Sequence, residues 1–234
     1  MKKIGAVILA AGKGSRMQSD CPKQFMEVCN RPVLYYSLNV FSKCNKIDEI
    51  VLVTGKDSIA YCKNEIVEKY GIKKVSCIVE GGSERYWSVY NGLQYLKDTD
   101  YVLIHDSARP CVTEDMLLRS IDEVMICNAC TLGVPVKDTI KMVDEKGMGI
   151  ETPKREMLWQ IQTPQTFSTN MLISAYEKMK RDNITDITDD TMIMERFGGL
   201  HSKVIFGDYC NIKITTPEDL FMVEKFLGKN VKSC

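Results

Sequence analysis

Residues 4–17 read IGAVILAAGKGSRM, and this stretch decides the fold. Ile4–Leu9 is a short apolar run rich in β-branched residues, the pattern of a strand buried on both faces. It passes directly into Gly12-Lys13-Gly14, where glycine lets the backbone turn sharply. A strand of this kind belongs in the middle of a parallel sheet covered by helices. After Met1-Lys2-Lys3 it superficially imitates a signal peptide, but the apolar stretch is short and β-branched. The run Ile4–Gly12 has 9 residues, about half of the ~20 that a membrane span needs.

Working outward, the same rhythm repeats. Glu49–Val53, Val75–Val79 and Tyr101–Ile104 read as further strands buried on both faces. Val33–Lys43, Ser58–Tyr70, Ser83–Leu96 and Glu114–Asn128 are long enough for the helices between and after them. Such βαβα alternation implies an α/β fold with a mostly parallel sheet flanked by helices. Residues 136–162 break the pattern: polar and apolar residues alternate around the turn signal Glu145-Lys146-Gly147, as in a two-stranded excursion. An isolated hairpin is marginal in water, so this one needs a surface to pack on, such as a second subunit. Helices follow near Asn170–Arg181 and Asp189–Phe197, then strands at Val204–Phe206 and Asn211–Ile214, and a closing helix after Thr216-Pro217.

The chain has 234 residues, 31 Lys plus Arg and 31 Asp plus Glu. A zero net charge argues against a nucleic-acid scaffold or a polybasic membrane binder. Ten cysteines follow no disulfide framework, and the two histidines, His105 and His201, stand too far apart in the chain to complete a structural zinc site beside Cys127 and Cys130. Reduced thiols imply a reducing compartment, hence the cytoplasm.

In an open parallel sheet, ligands bind beyond the carboxyl ends of the strands. After the first strand come Ala10, Ala11, Gly12 and Gly14, then Arg16 and Lys23. The loop is either a plain turn or a phosphate cradle, and the two cations favour the cradle. It is neither a Walker A motif nor GxGxxG, since Met17 stands where a third glycine belongs. After the third strand, Gly81-Gly82-Ser83 permits close approach of a flat ligand, or is only a helix start capped by Ser83, on a helix carrying Ser88. Asp106 follows the fourth strand as a candidate Mg²⁺ ligand, or else caps a helix or pairs with Arg109. Strand alternation turns His105 away from it. Lys213, placed within the short late strand, should reach a solvent-filled mouth or an anion. Together these residues suit a nucleoside triphosphate with its metal, and no Cys–His or Ser–His pair competes.

The segments AAGKGSRM, PKQF, EGGSER, SVYNGL, HDSARP, PVKDTIK, TPKREMLWQIQTPQTF, TDD and NIKITTPEDL occur in one order along residues 4–227. In this the chain resembles the 2-C-methyl-D-erythritol 4-phosphate cytidylyltransferases. The resemblance implies a Rossmann-like nucleotidyltransferase fold in one domain, residues 1–234, with a projecting β-arm at residues 136–162 through which homodimers form. It implies transfer of CMP from CTP to methylerythritol phosphate, with pyrophosphate released and Mg²⁺ as cofactor, in non-mevalonate isoprenoid synthesis. Ala10, Ala11, Gly12 and Gly14 would line the CTP loop, and Gly82 and Ser88 would meet the cytosine. Arg16 and Lys23 would stabilise the transition state, and Asp106 would bind the metal. Arg109 and Lys213 would meet the sugar phosphate or α-phosphate. Thr139 and Arg155, with Thr163 nearby, would reach methylerythritol phosphate in the neighbouring subunit. Tyr86 and Cys210 depart from the residues common in the family. A ribitol-5-phosphate cytidylyltransferase is the nearest rival, disfavoured by VKDTIK and TPKREMLW. A non-catalytic CTP-binding module would not need Arg16, Lys23, Asp106 and Lys213 together. A dinucleotide oxidoreductase would need the missing glycine.

Overall fold

The computed structural model describes residues 2–12, 17, 21–182 and 184–231. Its centre is a seven-stranded sheet built on β1 (Ile4–Ala10), every residue of which is buried. On one side of β1 lie β4 (Glu49–Thr54) and β5 (Val75–Glu80); on the other lie β6 (Tyr101–Asp106), β10 (Trp159–Ser168), β7 (Ala129–Pro135) and β11 (Lys203–Phe206). Only β10 runs antiparallel to its neighbours in this sheet. Strand order therefore reverses at β1, the kind of switch point where open sheets bind ligands. Two small hairpins accompany the sheet: β2 (Glu27–Val28) with β3 (Arg31–Pro32), and β8 (Met142–Val143) with β9 (Gly149–Glu151).

Alternation along β1 divides the core in two. Ile4, Ala6, Ile8 and Ala10 pack with Leu34, Leu38 and Phe41 of α1 (Val33–Lys43) and with Leu117 and Ile121 of α4 (Glu114–Cys127). Val7 and Leu9 face the other layer. There they meet Val89 and Leu93 of α3 (Arg85–Leu93) and Leu172, Tyr176 and Met179 of α5 (Thr169–Asp182). A smaller cluster, with Val33, Cys111, Ile214 and Val223, seats the last helix, α7 (Pro217–Val231). Helix α4 begins where Thr113 Oγ1 accepts the Met116 N–H and stops at Asn128, whose φ of 62° ends the helix.

Several expectations need correction. β5 is an edge strand, and Val79 is its one buried residue rather than part of a two-sided run. The segment expected as Ser58–Tyr70 starts with a 3₁₀ turn at Lys56–Ser58, passes through α2 (Ile59–Tyr61) and continues as wide π turns over Cys62–Glu68. The helix expected at Asp189–Phe197 is α6 (Asp190–Ile193) followed by π turns over Met194–Gly198. Asn211–Ile214 forms no strand, because side chains take its carbonyls: Arg109 holds Asn211 O and Lys23 holds Ile214 O. Trp159–Ile161 pair with Gly133–Pro135 in the main sheet, so the stretch leaving the sheet begins after Pro135 and ends before Trp159. No helix among the described residues is long and apolar enough to cross a membrane. Cys29, Cys44, Cys62, Cys77, Cys111, Cys127 and Cys130 are free thiols.

Candidate active site

The ends of β1, β5 and β6 and the start of α3 enclose a cleft of about 380 Å³. Ala10, Ala11 and Gly12 form one wall; Gly14 and Arg16 lie outside the described residues. The wall is pinned from below. Buried Gln24 donates from Nε2 to Ala10 O at 2.8 Å and to Gly12 O at 3.2 Å. Gln24 was not among the expected site residues, although it sits in the PKQF segment beside Lys23. Lys23 Nζ donates to Ile214 O at 2.7 Å, which ties the first loop to the segment before α7.

Opposite lies the Gly81-Gly82 turn. A Cβ at Gly81 would stand 2.6 Å from the Ala11 Cβ, and one at Gly82 would stand 2.3 Å from the Trp87 Cβ. Only glycine permits this approach. Ser88 then reaches back over one turn: its Oγ accepts the Gly82 N–H at 3.0 Å and donates to Glu84 O at 3.2 Å. Ser88 thus shapes the wall that it lines. Glu84, not Ser83, occupies the N-cap position of α3, and no side chain caps it.

Asp106 closes β6 and carries a cation on each oxygen. Arg85 Nε donates to Oδ1 at 3.0 Å, and Lys213 Nζ donates to Oδ2 at 2.6 Å. The charge partner offered in the sequence was Arg109; the structure supplies Arg85 and Lys213 instead. Burial opposes the charge on Asp106, but these two neighbours outweigh it and hold the carboxyl well below its usual range. Its backbone N–H donates to Thr163 Oγ1 at 3.1 Å, and the same oxygen meets His105 Nδ1 at 3.1 Å. His105 Nε2 lies 3.3 Å from both Ser37 Oγ and Arg109 O. Burial pushes this imidazole down to about 3 against the pull of Asp106, so it is neutral at pH 7. It turns from the cleft, as alternation required.

Arg109 spends its fork on the protein, with Nη1 on Asn211 O at 2.7 Å and Nη2 on Ile161 O at 3.2 Å. It lines a second hollow of about 270 Å³ with Gln160, Tyr209 and Lys213. Lys213 borders both hollows. Thr139 and Arg155 are exposed on the excursion and line neither; Arg155 Nη1 donates to Lys137 O at 3.1 Å. Tyr86 is buried in the core, and Asp208 is exposed, its Oδ1 accepting the Cys210 N–H at 2.7 Å.

No group of three or more His, Cys, Asp or Glu side chains able to hold a metal occurs among the described residues. Asp106 alone therefore suits a cation that takes one carboxylate and fills its shell with phosphate oxygens and water, as Mg²⁺ does, and does not suit an all-protein metal cage.

The family model described as IspD, 2-C-methyl-D-erythritol 4-phosphate cytidylyltransferase, matches residues 4–229. A relative of that name from Clostridium botulinum (strain 657 / Type Ba4) is 51% identical over 231 residues, covering 98% of this chain and 99% of its own. The 4-diphosphocytidyl-2C-methyl-D-erythritol synthase structure from Anaerococcus prevotii superposes with a TM-score of 0.84 at 35% identity, over 97% of this chain and 96% of that one. The Francisella tularensis cytidylyltransferase superposes with a TM-score of 0.81 at 28% identity, over 96% of this chain and 100% of that one.

Proposed function

The chain belongs to the 2-C-methyl-D-erythritol 4-phosphate cytidylyltransferase family, and on that premise we propose how its residues carry CMP from CTP to the polyol phosphate. The observation that supports the assignment of roles is the meeting of Lys23, Asp106 and Lys213 around one cleft walled by Ala11, Gly82 and Ser88.

CTP lies with its base against the wall that Ala11 and Gly82 form together, beside Ser88, whose Oγ retains a lone pair for a donor on the base. Its triphosphate runs along Gly12 toward Lys23, and Gly14 and Arg16 take the phosphate-binding roles that the family pattern gives them. Asp106 holds Mg²⁺, which when bound neutralises phosphate charge. Methylerythritol phosphate occupies the second hollow, its phosphate near Lys213 and Arg109 and its polyol near Gln160 and Tyr209, while buried Thr163 lines neither hollow. A phosphate oxygen of the polyol attacks the α-phosphorus, the bond to the bridging oxygen breaks, and pyrophosphate departs with that electron pair. Because a phosphate monoester has a second pKa of about 6, the nucleophile is already ionised at neutral pH. No general base is required, and neutral His105 supplies none. Catalysis is positioning and charge neutralisation.

The residue 136–162 excursion serves as a dimer arm. Met142, Val143, Met148 and Ile150 are each more than half exposed on it, and a two-fold partner would cover them without any other protein. Thr139 and Arg155, which line neither hollow of their own chain, then reach methylerythritol phosphate bound by the partner. The free thiols fit a cytoplasmic enzyme.

The test is pyrophosphate release from CTP and Mg²⁺ with each polyol phosphate in turn. Release with methylerythritol phosphate and not with ribitol 5-phosphate is expected. The reverse preference would overturn the assignment.

A further inference from the structure

Arg85 lies between two carboxylates. Its Nε donates to Asp106 Oδ1 at 3.0 Å, and its Nη1 donates to Asp190 Oδ2 at 2.8 Å. The far end is locked. Asp190 is fully buried, its Oδ1 accepts the Tyr176 hydroxyl at 2.5 Å, and its N–H donates to Gln165 Oε1 at 2.9 Å. Tyr176 is itself fully buried between layers. The other partner of Asp106 is held quite differently. Lys213 is a single ammonium on a flexible stem, with its side chain 37% exposed where the two hollows meet. A phosphate entering the cleft can draw Lys213 away, whereas Arg85 cannot follow without breaking a buried ion pair.

We propose that Arg85, clamped by Asp190 and Tyr176, is a positioning residue that fixes the Asp106 carboxylate, while Lys213 is the partner exchanged for substrate. This rests on the reading of the cleft as a CTP and Mg²⁺ site. Asp190 and Arg85 are 105 positions apart in the chain, yet they set the aim of one carboxylate at the end of β6. Residues behind a metal-binding group commonly alter metal affinity or activity by about 10- to 100-fold when replaced.

The experiment measures equilibrium CTP binding as a function of Mg²⁺, without the second substrate, alongside kcat, KM and thermal unfolding. In Asp190→Asn the Asn oxygen still accepts from Tyr176, but its amide faces Arg85 with a donor. In Arg85→Lys one rotatable ammonium replaces the rigid planar fork that fixes both carboxylates. Both should raise the half-saturating Mg²⁺ about 10- to 100-fold and lower kcat, with KM for the polyol phosphate changed less than threefold. Tyr176→Phe, which keeps the ring, should move Mg²⁺ dependence in the same direction by a smaller factor, and it carries the test if Arg85 variants fail to fold. A purely structural Arg85 would lower the unfolding temperature and leave half-saturation unchanged in the folded variants, which overturns the proposal. Asp106→Asn separates the two levels. If it too leaves Mg²⁺ dependence unchanged, the metal site itself is wrong and the inference falls with it. If it changes that dependence while the Arg85 and Asp190 variants do not, only the positioning role is wrong.

Discussion

The cleft and the arm are built on opposite terms, although one strand joins them. Strand β10 begins exposed, with Trp159 and Ile161 more than a third accessible, and is buried from Gln162 to Phe167. At its buried end, Asp106, Asp190, Thr163 and His105 all have partners within the same chain. At its exposed end, the β8–β9 hairpin has no buried residue and presents Met148 and Ile150 to solvent. The cleft is thus finished by folding alone. A two-stranded ribbon is marginal by itself, so the arm is finished only by something outside the chain.

The largest effect expected from breaking the cleft is at Lys23. Lys23→Ala should lower kcat by about 10²–10³, the roughly 2.7–4 kcal/mol typical of one lost transition-state contact, and raise KM for CTP far less. Steady-state kinetics with varied CTP would show this, and near-normal turnover would remove Lys23 from the mechanism.

Arg155 tests whether the arm takes part in chemistry. Arg155→Ala should raise KM for the polyol phosphate about 10- to 100-fold, matching the loss of one charged hydrogen bond worth ~1.5–3 kcal/mol, with CTP binding unchanged. Mixed with Lys23→Ala subunits, it should form hybrid dimers in which one site carries both lesions and the other neither. About half the wild-type activity per hybrid should then return. Verified hybrids without recovery would show that each arm serves its own subunit.

Ile150→Ser probes the arm as adhesive only. Loss of ~0.8 kcal/mol of apolar burial at each of the two copies should raise the dimer dissociation constant about tenfold in sedimentation, leaving CTP affinity unaltered. A strictly monomeric wild-type protein would contradict the dimer itself.

The smallest catalytic effect is expected at His105. His105→Gln should keep turnover within a few-fold, since the imidazole touches Thr163 and Ser37 rather than the cleft. Its signature is in stability. The folded imidazole resists protonation down to about 3, whereas the unfolded one takes a proton below about 6.5. Across that window the unfolded state binds more protons, so wild-type stability falls as pH drops, by up to about 1.4 kcal/mol per unit. The variant should lack this component in denaturant titrations between pH 7 and pH 4.

These contrasts also mark what the sequence makes legible. Glycines and charges directly after apolar runs point to the cleft because strand ends converge there, so Ala11, Gly82, Asp106 and Lys213 are found without coordinates. Arg85 and Asp190 escape because each looks like an ordinary helix start, and only the packing of α3 beside α5 and α6 brings them together. Strand β7 escapes for a different reason. Its sequence, ACTLGVP, carries a glycine and a proline and lacks a long branched run, yet neighbours on both sides hold it in the sheet. Lys213 is found in the right place on the wrong element, because an extended segment pinned by side chains has the same pattern as a short strand.

The reversed direction of β10 ties the reach of the molecule to its mouth. A chain leaving β7 at Pro135 emerges on the rim where the parallel strands end, and the antiparallel return at Trp159 starts from that same rim. The projection is therefore rooted beside the opening, with its tip at Glu145–Gly147 as a free ruler. Each residue added to both strands would extend it by about 3.3 Å without disturbing a single cleft contact. Span can drift while the chemistry stays fixed, and whatever grips the projection at its root stands over the entrance.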